Sequence, residues 1–237
     1  MNSPGYSSAL SWLVTILVPV VLVLTAVRLL ITPAFVFIEY NTPNFPDDRY
    51  GFTKQDRLEY SNIALDYLLN DEGISYLADL HFPDGQTAPL SSCQFIDDCT
   101  RMYNDRELKH MVDVKNVVTA ALNVWYVGII GLVGLGVWAR FGGWWPQFRR
   151  GLGRGGWLTI AVLAGLLLFV LLAFGVLFVA FHNVFFESGT WTFLYSDTLI
   201  RLFPERFWRD TFLAVGLLAG GMGLILGWLF GRKKQQQ

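Results

Sequence analysis

The sequence predicts an all-α membrane protein with four transmembrane helices, one large extracytoplasmic loop domain and both termini cytoplasmic. Three observations predict it. Hydrophobic residues make up 53% of the 237, and they gather into apolar stretches at about 11–32, 115–139, 157–181 and 209–230. Each is near the roughly twenty residues that cross a bilayer as a helix. All 19 Asp and Glu residues fall within 39–113 and 187–210, between apolar stretches. The remaining connection carries only Arg140, Arg149, Arg150 and Arg154, and the tail only Arg232, Lys233 and Lys234. Short Lys/Arg-rich segments stay cytoplasmic, so the acidic stretches are expected to face outward. The net charge of −1 averages two opposite faces and identifies no partner.

Taken in order, residues 1–32 read as a retained first helix rather than a signal peptide. No Lys or Arg precedes the apolar run, the run is long, and Arg28 interrupts the place where cleavage would follow. Residues 33–114 read as the loop domain. Thr53 and Asp56 have capping-box spacing, and the helix they would open carries Leu58, Ile63, Tyr67 and Leu68, stopping near Asn70–Gly73. A second start at Asn104, with Glu107 three residues on, is expected to run straight into the second helix, 115–139. About eighty residues bury little core alone, so this domain is expected to pack on the membrane and the spans beneath it. Cys93 and Cys99 both fall in it. Outside the cytoplasm such a pair is expected to oxidise, two free thiols in a reducing host being the alternative, and closing so short a loop contributes on the order of 2–3 kcal/mol. A basic cytoplasmic loop (140–156), the third helix (157–181), an extracytoplasmic interfacial loop (182–208), the fourth helix (209–230) and a tail (231–237) complete the chain. Within 182–208, the stretch Ser196–Trp208 mixes Leu199, Ile200, Leu202, Phe203, Phe207 and Trp208 with Arg201, Glu205 and Arg206, as a surface-lying amphipathic element would.

The chemistry-bearing residues converge on one depth. His110 lies one turn before the second span, His182 where the third span emerges, and Arg28 in the last turn of the first. Ionisable groups at such depth are costly and are often functional, although Arg28 alone could snorkel to headgroups. Glu107, His110 and Asp113 are spaced by three and share one broad helix face, where a carboxylate could orient the imidazole. Glu-x-x-His also occurs in metal sites of helical bundles, so Glu107, His110 and His182 make a three-ligand zinc site conceivable. His81 stands apart, before Phe82-Pro83-Asp84-Gly85. Gly151-Leu-Gly153-Arg-Gly-Gly156 matches the dinucleotide fingerprint by letter only, since no strand precedes it. The pairs Gly216–Gly220 and Gly223–Gly227 fit close helix packing. Nothing points to nucleic acid.

Glu107-x-x-His110-Met111-x-Asp113-Val114-Lys115 is one of two blocks that resemble a known family. The other is Phe181-His182-x-x-Phe185-Phe186, followed by Trp191, Asp197, Leu199-Ile200-Arg201 and Phe203-Pro204-Glu205-x-Phe207-Trp208-x-Asp210. Together they resemble the lipoprotein intramolecular transacylases, small four-helix proteins of the bacterial cytoplasmic membrane with one large outer loop. The Cys93–Cys99 stretch departs from that pattern as an insertion. The resemblance implies an enzyme that acts on membrane-embedded diacylated lipoproteins. It would move the sn-2 acyl chain of a diacylglyceryl-Cys lipoprotein to its own α-amine, giving the lyso-form, without a cofactor. His110 is then expected as base, oriented by Glu107 or Asp113, His182 as acid or electrostatic partner, and Arg28 as a support for the oxyanion. A metal-dependent membrane lipid hydrolase and a non-catalytic member of the family are the alternatives. The sequence leaves the oligomeric state open.

Overall fold

A computed structural model describes residues 4–231; the basic tail Arg232, Lys233 and Lys234 lies outside the described residues. Among the described residues the regular structure is helical: α1 (Pro4–Leu30), α2 (Pro33–Tyr40), α3 (Lys54–Leu69), α4 (Ser75–Ala78), α5 (Leu90–Cys93), α6 (Asp105–Phe141), α7 (Trp145–Phe185), α8 (Thr198–Leu202) and α9 (Glu205–Gly231). One isolated bridge pairs His81 with Arg101. Helices α1, α6, α7 and α9 are long and apolar enough to cross a membrane. With 37 and 41 residues, α6 and α7 extend to about 55–60 Å, well beyond a hydrocarbon core of about 30 Å.

Local signals set the helix ends. Thr32 caps α2, its Oγ1 accepting from Phe35 N, with Pro33 just inside. The first span therefore stops at Leu30 rather than 32, because a proline at the first helical position opens a new helix. Thr53 and Asp56 form the expected capping box on α3, which ends at Leu69. Asn104 and Glu107 form a second, buried box: Asn104 Oδ1 accepts from Glu107 N (3.0 Å), and Glu107 Oε2 accepts from Asn104 N (2.9 Å). From there α6 runs on without a break.

The expected basic loop of 140–156 is mostly helix. Gly143, at φ +78°, ends α6 in a conformation that suits glycine. Helix α7 begins at Trp145 with Pro146 in its first turn, so Arg149, Arg150 and Arg154 ride on its surface. Ala173, at φ −148° and ψ 46°, breaks the helical geometry of α7.

The chain divides into two compact units. The first comprises Met1–Leu30, Ala121–Leu172 and Phe212–Gln237. Val14, Val18, Ala139, Trp144 and Phe148 form one of its buried clusters. Small residues draw its helices together. A Cβ on Gly151 would lie 2.7 Å from the Ser11 carbonyl of α1, and one on Gly156 would lie 2.6 Å from Gly227 N of α9. The run that matches a nucleotide fingerprint is thus a two-sided packing surface. Gly216, Gly223 and Gly227 also sit against α7 residues, whereas a Cβ on Gly220 would meet open space, so that position does not serve close packing.

The second unit comprises Ile31–Ala120 and Ala173–Thr211. Its core holds Phe52, Tyr67, Leu77, Met102, Tyr103, Leu199 and Leu202, and a disulfide joins Cys93 to Cys99. Thr198, Leu199, Arg201 and Leu202 are buried, so α8 is a core element and not the surface-lying helix that its composition suggests. The reason is a long-range partner. Arg201 donates from Nε and Nη2 to the two oxygens of Asp48, both at 3.1 Å, with both side chains 2% exposed. Burial pushes the Asp48 carboxyl up, but its bonds to Arg201 and to the backbone of Phe52 outweigh that and hold it below the usual range. A cation so paired, with its guanidinium 3.5 Å over the Phe52 ring, can enter a core.

Candidate active site

Both candidate histidines lie in the second unit. His110 stands in the second turn of α6 and His182 in the last turn of α7. Their ring centroids are 6.1 Å apart with planes inclined by 19°, and each residue is 9% exposed. Aromatic rings enclose the pair. Phe186 lies 4.8 Å and Phe193 5.3 Å from His110, both edge-on. Phe178 lies 4.1 Å and Trp191 4.7 Å from His182.

Hydrogen bonding separates the two imidazoles. His182 Nδ1 lies 2.8 Å from the Phe178 carbonyl one turn back. A carbonyl only accepts, so Nδ1 carries the proton, and in the neutral ring Nε2 presents its lone pair. His110 Nδ1 is buried and has no hydrogen-bond partner among the described residues. Trp191 Nε1 is a second buried, unpartnered atom, on a ring that touches His182. A proton acceptor with a set tautomer and an indole N–H therefore meet in one aromatic enclosure.

Glu107 is not bonded to His110. One carboxylate oxygen takes the cap bond from Asn104 N; the other accepts from Leu199 N of α8 at 2.7 Å, and the residue is 1% exposed. The carboxylate expected to orient an imidazole instead ties the start of α6 to α8. Asp197, also buried, accepts from Leu194 N (2.8 Å) and lies 3.5 Å from Arg106 Nη2. These two acids fix the strap that carries Trp191 and Phe193 to the α6 helix that carries His110. Asp113 is half-buried and makes no ion pair or hydrogen bond among the described residues. Arg28 is half-buried in the last turn of α1, in the other unit. His81, half-exposed, lies 4.0 Å from Asp98 and belongs to no such enclosure.

The zinc set imagined from Glu107, His110 and His182 is not assembled. Both Glu107 oxygens face backbone N–H donors, and among the described residues no three His, Cys, Asp or Glu side chains are grouped to hold a metal. Sequence reasoning missed Phe178 and Phe193. The signal available was aromatic density: Phe174, Phe178, Phe181, Phe185, Phe186, Trp191 and Phe193 crowd around His182 in the chain.

The family described as lipoprotein intramolecular transacylase Lit matches residues 12–208. An uncharacterized protein of Aquifex aeolicus (strain VF5) is 28% identical over 227 residues, covering 92% of this chain and 91% of that one. The membrane integral lipoprotein intramolecular transacylase Lit from Bacillus cereus, solved in meso, superimposes with a TM-score of 0.75 at 20% identity, over 96% of this chain and 95% of that one. Two variants of the same protein, with a histidine replaced by arginine or by alanine, superimpose with TM-scores of 0.68 over 96% of this chain and 91% and 93% of theirs. At that identity the likeness carries the fold: four apolar helices of a multi-pass membrane protein.

Proposed function

The chain belongs to the lipoprotein intramolecular transacylase family, and from that premise we propose that it moves the sn-2 acyl chain of a diacylglyceryl-Cys lipoprotein onto the substrate's own α-amine. The acidic stretches would face outward and both chain ends inward, placing the reaction at the extracytoplasmic face of a bacterial cytoplasmic membrane. Acyl chains would enter sideways from the outer leaflet.

The observation that carries this reading is the paired imidazoles in an aromatic enclosure, one with its tautomer set. Nucleophile and ester belong to one molecule, so the protein's main task is to fold them together. The neutral amine attacks the ester carbonyl carbon, and a C–N bond forms. His182 Nε2 takes a proton from that nitrogen. When the bond to the sn-2 oxygen breaks, His110 hydrogen-bonds the departing glycerol oxygen, and the proton that left the amine ends there. No proton is gained or lost overall. This exchanges the roles expected from sequence, because the ring held by a backbone carbonyl is His182. Trp191 Nε1–H is a buried, unpartnered donor on the ring beside His182, suited to the oxygen that gains charge in the tetrahedral intermediate. Enclosure by rings keeps water out, which favours aminolysis over hydrolysis. Glu107 acts as a positioning residue, and Arg28 and Asp113 remain supporting candidates to be tested by substitution.

The test is mass spectrometry of lipoprotein N-termini from a host that makes diacyl lipoproteins and expresses this chain. One acyl chain should shift from glycerol to the α-amine, and His182→Gln and His110→Gln should each abolish the shift while the protein still inserts. Unchanged diacyl termini with the wild-type chain in the membrane would overturn the reading. Full activity of His182→Gln would overturn its role as base.

A further inference from the structure

We propose that the first unit carries a binding site for an anionic phospholipid, in a groove between α6 and the start of α7. It contains neither histidine and is independent of the acyl-transfer reading. The groove is shallow and open along the helix surface, with a volume of about 450 Å³, within the range of about 300–1,000 Å³ typical of small-molecule sites. Val133, Val137, Trp145 and Phe148 wall it, and Arg140 is the one charged residue that lines it. Gly136 makes it possible: a Cβ there would lie 3.1 Å from the Phe148 ring, so the helix face dips where the side chain is missing. The result is an apolar trough with a guanidinium in the last turn of α6.

Charge supplies the second argument. The first unit contains no Asp or Glu in 1–30, 121–172 or 212–237. Arg150, exposed on α7, does not line the groove, and two further guanidiniums of α7 are engaged. Arg154 lies 4.1 Å over the Trp12 ring and donates to Ser11 Oγ at 2.7 Å, and Arg149 lies 5.4 Å over Phe230. Arg140 makes no hydrogen bond, ion pair or ring contact among the described residues and is exposed. A cation whose unit holds no carboxylate calls for an external anion. A phosphodiester headgroup matches the guanidinium fork, and one acyl chain matches the trough beside it. A free phosphate would use the arginine and leave the trough unfilled. A zwitterionic lipid would fill the trough but offer the arginine a neutralised headgroup.

The experiment uses the full chain in detergent, titrated with dioleoyl-phosphatidylglycerol, dioleoyl-phosphatidylcholine or soluble glycerophosphoglycerol and followed by native mass spectrometry and thermal unfolding. The anionic lipid should be retained and should raise the midpoint; the other two should do neither. Arg140→Gln should cut retention of the anionic lipid at least fivefold. Val137→Trp, at an exposed position, fills the trough without touching the charge and should cut it likewise, which keeps the test valid if Arg140→Gln does not accumulate. Retention unchanged in either variant overturns the proposal. So does equal retention of the zwitterionic lipid, or binding of the soluble headgroup alone.

Discussion

In the first unit backbone meets backbone. A side chain on Gly156 would strike the Gly223 carbonyl and Gly227 N, and no carboxylate is present. In the second unit, charges are buried in matched sets. Arg201 sits on Asp48 with both side chains 2% exposed, Glu107 holds two backbone N–H groups, and Asp197 holds Leu194 N. The contrast follows from the surroundings each unit is built for. Between apolar helices in lipid there is little hydrophobic drive to associate, so close van der Waals approach has to supply it. A domain with water at its surface can bury charge if each charge is paired. The catalytic candidates belong to the second kind of construction, where a polar network can hold side chains in set orientations.

The largest expected effect lies in that network. Asp48→Ala leaves the Arg201 guanidinium buried without its carboxylate and should destabilise the protein by about 3–5 kcal/mol, read as a fall in thermal midpoint in detergent. Pairing Asp48→Leu with Arg201→Met should recover much of the loss. If the double substitution is as unstable as the single one, the pair is not what α8 requires.

Glu107→Gln is next. The amide keeps one acceptor but turns an N–H toward a backbone N–H, at a cost of about 1–3 kcal/mol for a buried donor left without its acceptor. Because Glu107 ties α6 to α8, the turnover number should fall while apparent substrate affinity changes little. Loss of affinity alone would instead make Glu107 part of substrate binding.

The corresponding break in the first unit is Gly156→Ala, which overpacks a backbone contact and should cost about 1–3 kcal/mol. Gly165, where a Cβ would meet nothing within 4 Å, is the control: Gly165→Ala should be neutral or stabilising by about 0.5–1 kcal/mol. Equal loss at both positions would remove the small-residue account of this packing.

A further effect is a pH dependence in the second unit. Burial pushes the Glu39 carboxyl up from 4.5 to about 7; the Asp210 charge and a bond to Asp210 add to this, while Arg206 and Arg209 oppose it. The folded chain thus holds this proton more tightly than the unfolded chain. The stabilisation is fully present below pH 4.5 and is lost as pH rises through about 7. Thermal midpoints of wild type and Glu39→Gln, measured from pH 4 to 8, should converge at low pH and separate at high pH, with the variant flatter. Parallel curves would exclude Glu39 as the group responsible.

Several of these features were legible before any tertiary contact was known. Thr53 with Asp56 and Asn104 with Glu107 were readable as helix starts, because a capping box is a bond between residues three apart. The four apolar runs and the partition of acids from bases followed from composition along the chain, as did the nearness of His110 and His182 to the ends of two apolar runs. The cysteine pair was legible from its short spacing within one acidic stretch.

Other features were misread for a common reason. A helix with Leu199, Leu202 and Arg201 has the same pattern whether it lies on a membrane or fills a core, and the difference is Asp48, 153 residues away. Glu107 is spaced to meet His110, but Leu199 N, 92 residues on, takes the oxygen instead. The Arg149–Arg154 segment looked like a loop because it is a basic connection between two apolar runs, although its glycines pack against α1 and α9.

By itself the sequence determined the four apolar helices, the capping boxes at Thr53 and Asn104, the segregation of charge and the chemistry-bearing residue types. All of these rest on neighbours within about one turn or on the average polarity of a segment. Only the tertiary structure decided which carboxylate meets which cation, which rings enclose the histidines and which imidazole nitrogen is free. Those outcomes depend on segments brought together across the chain, and a buried polar group takes whichever partner that packing supplies, because leaving it unpaired costs more than the pairing gains.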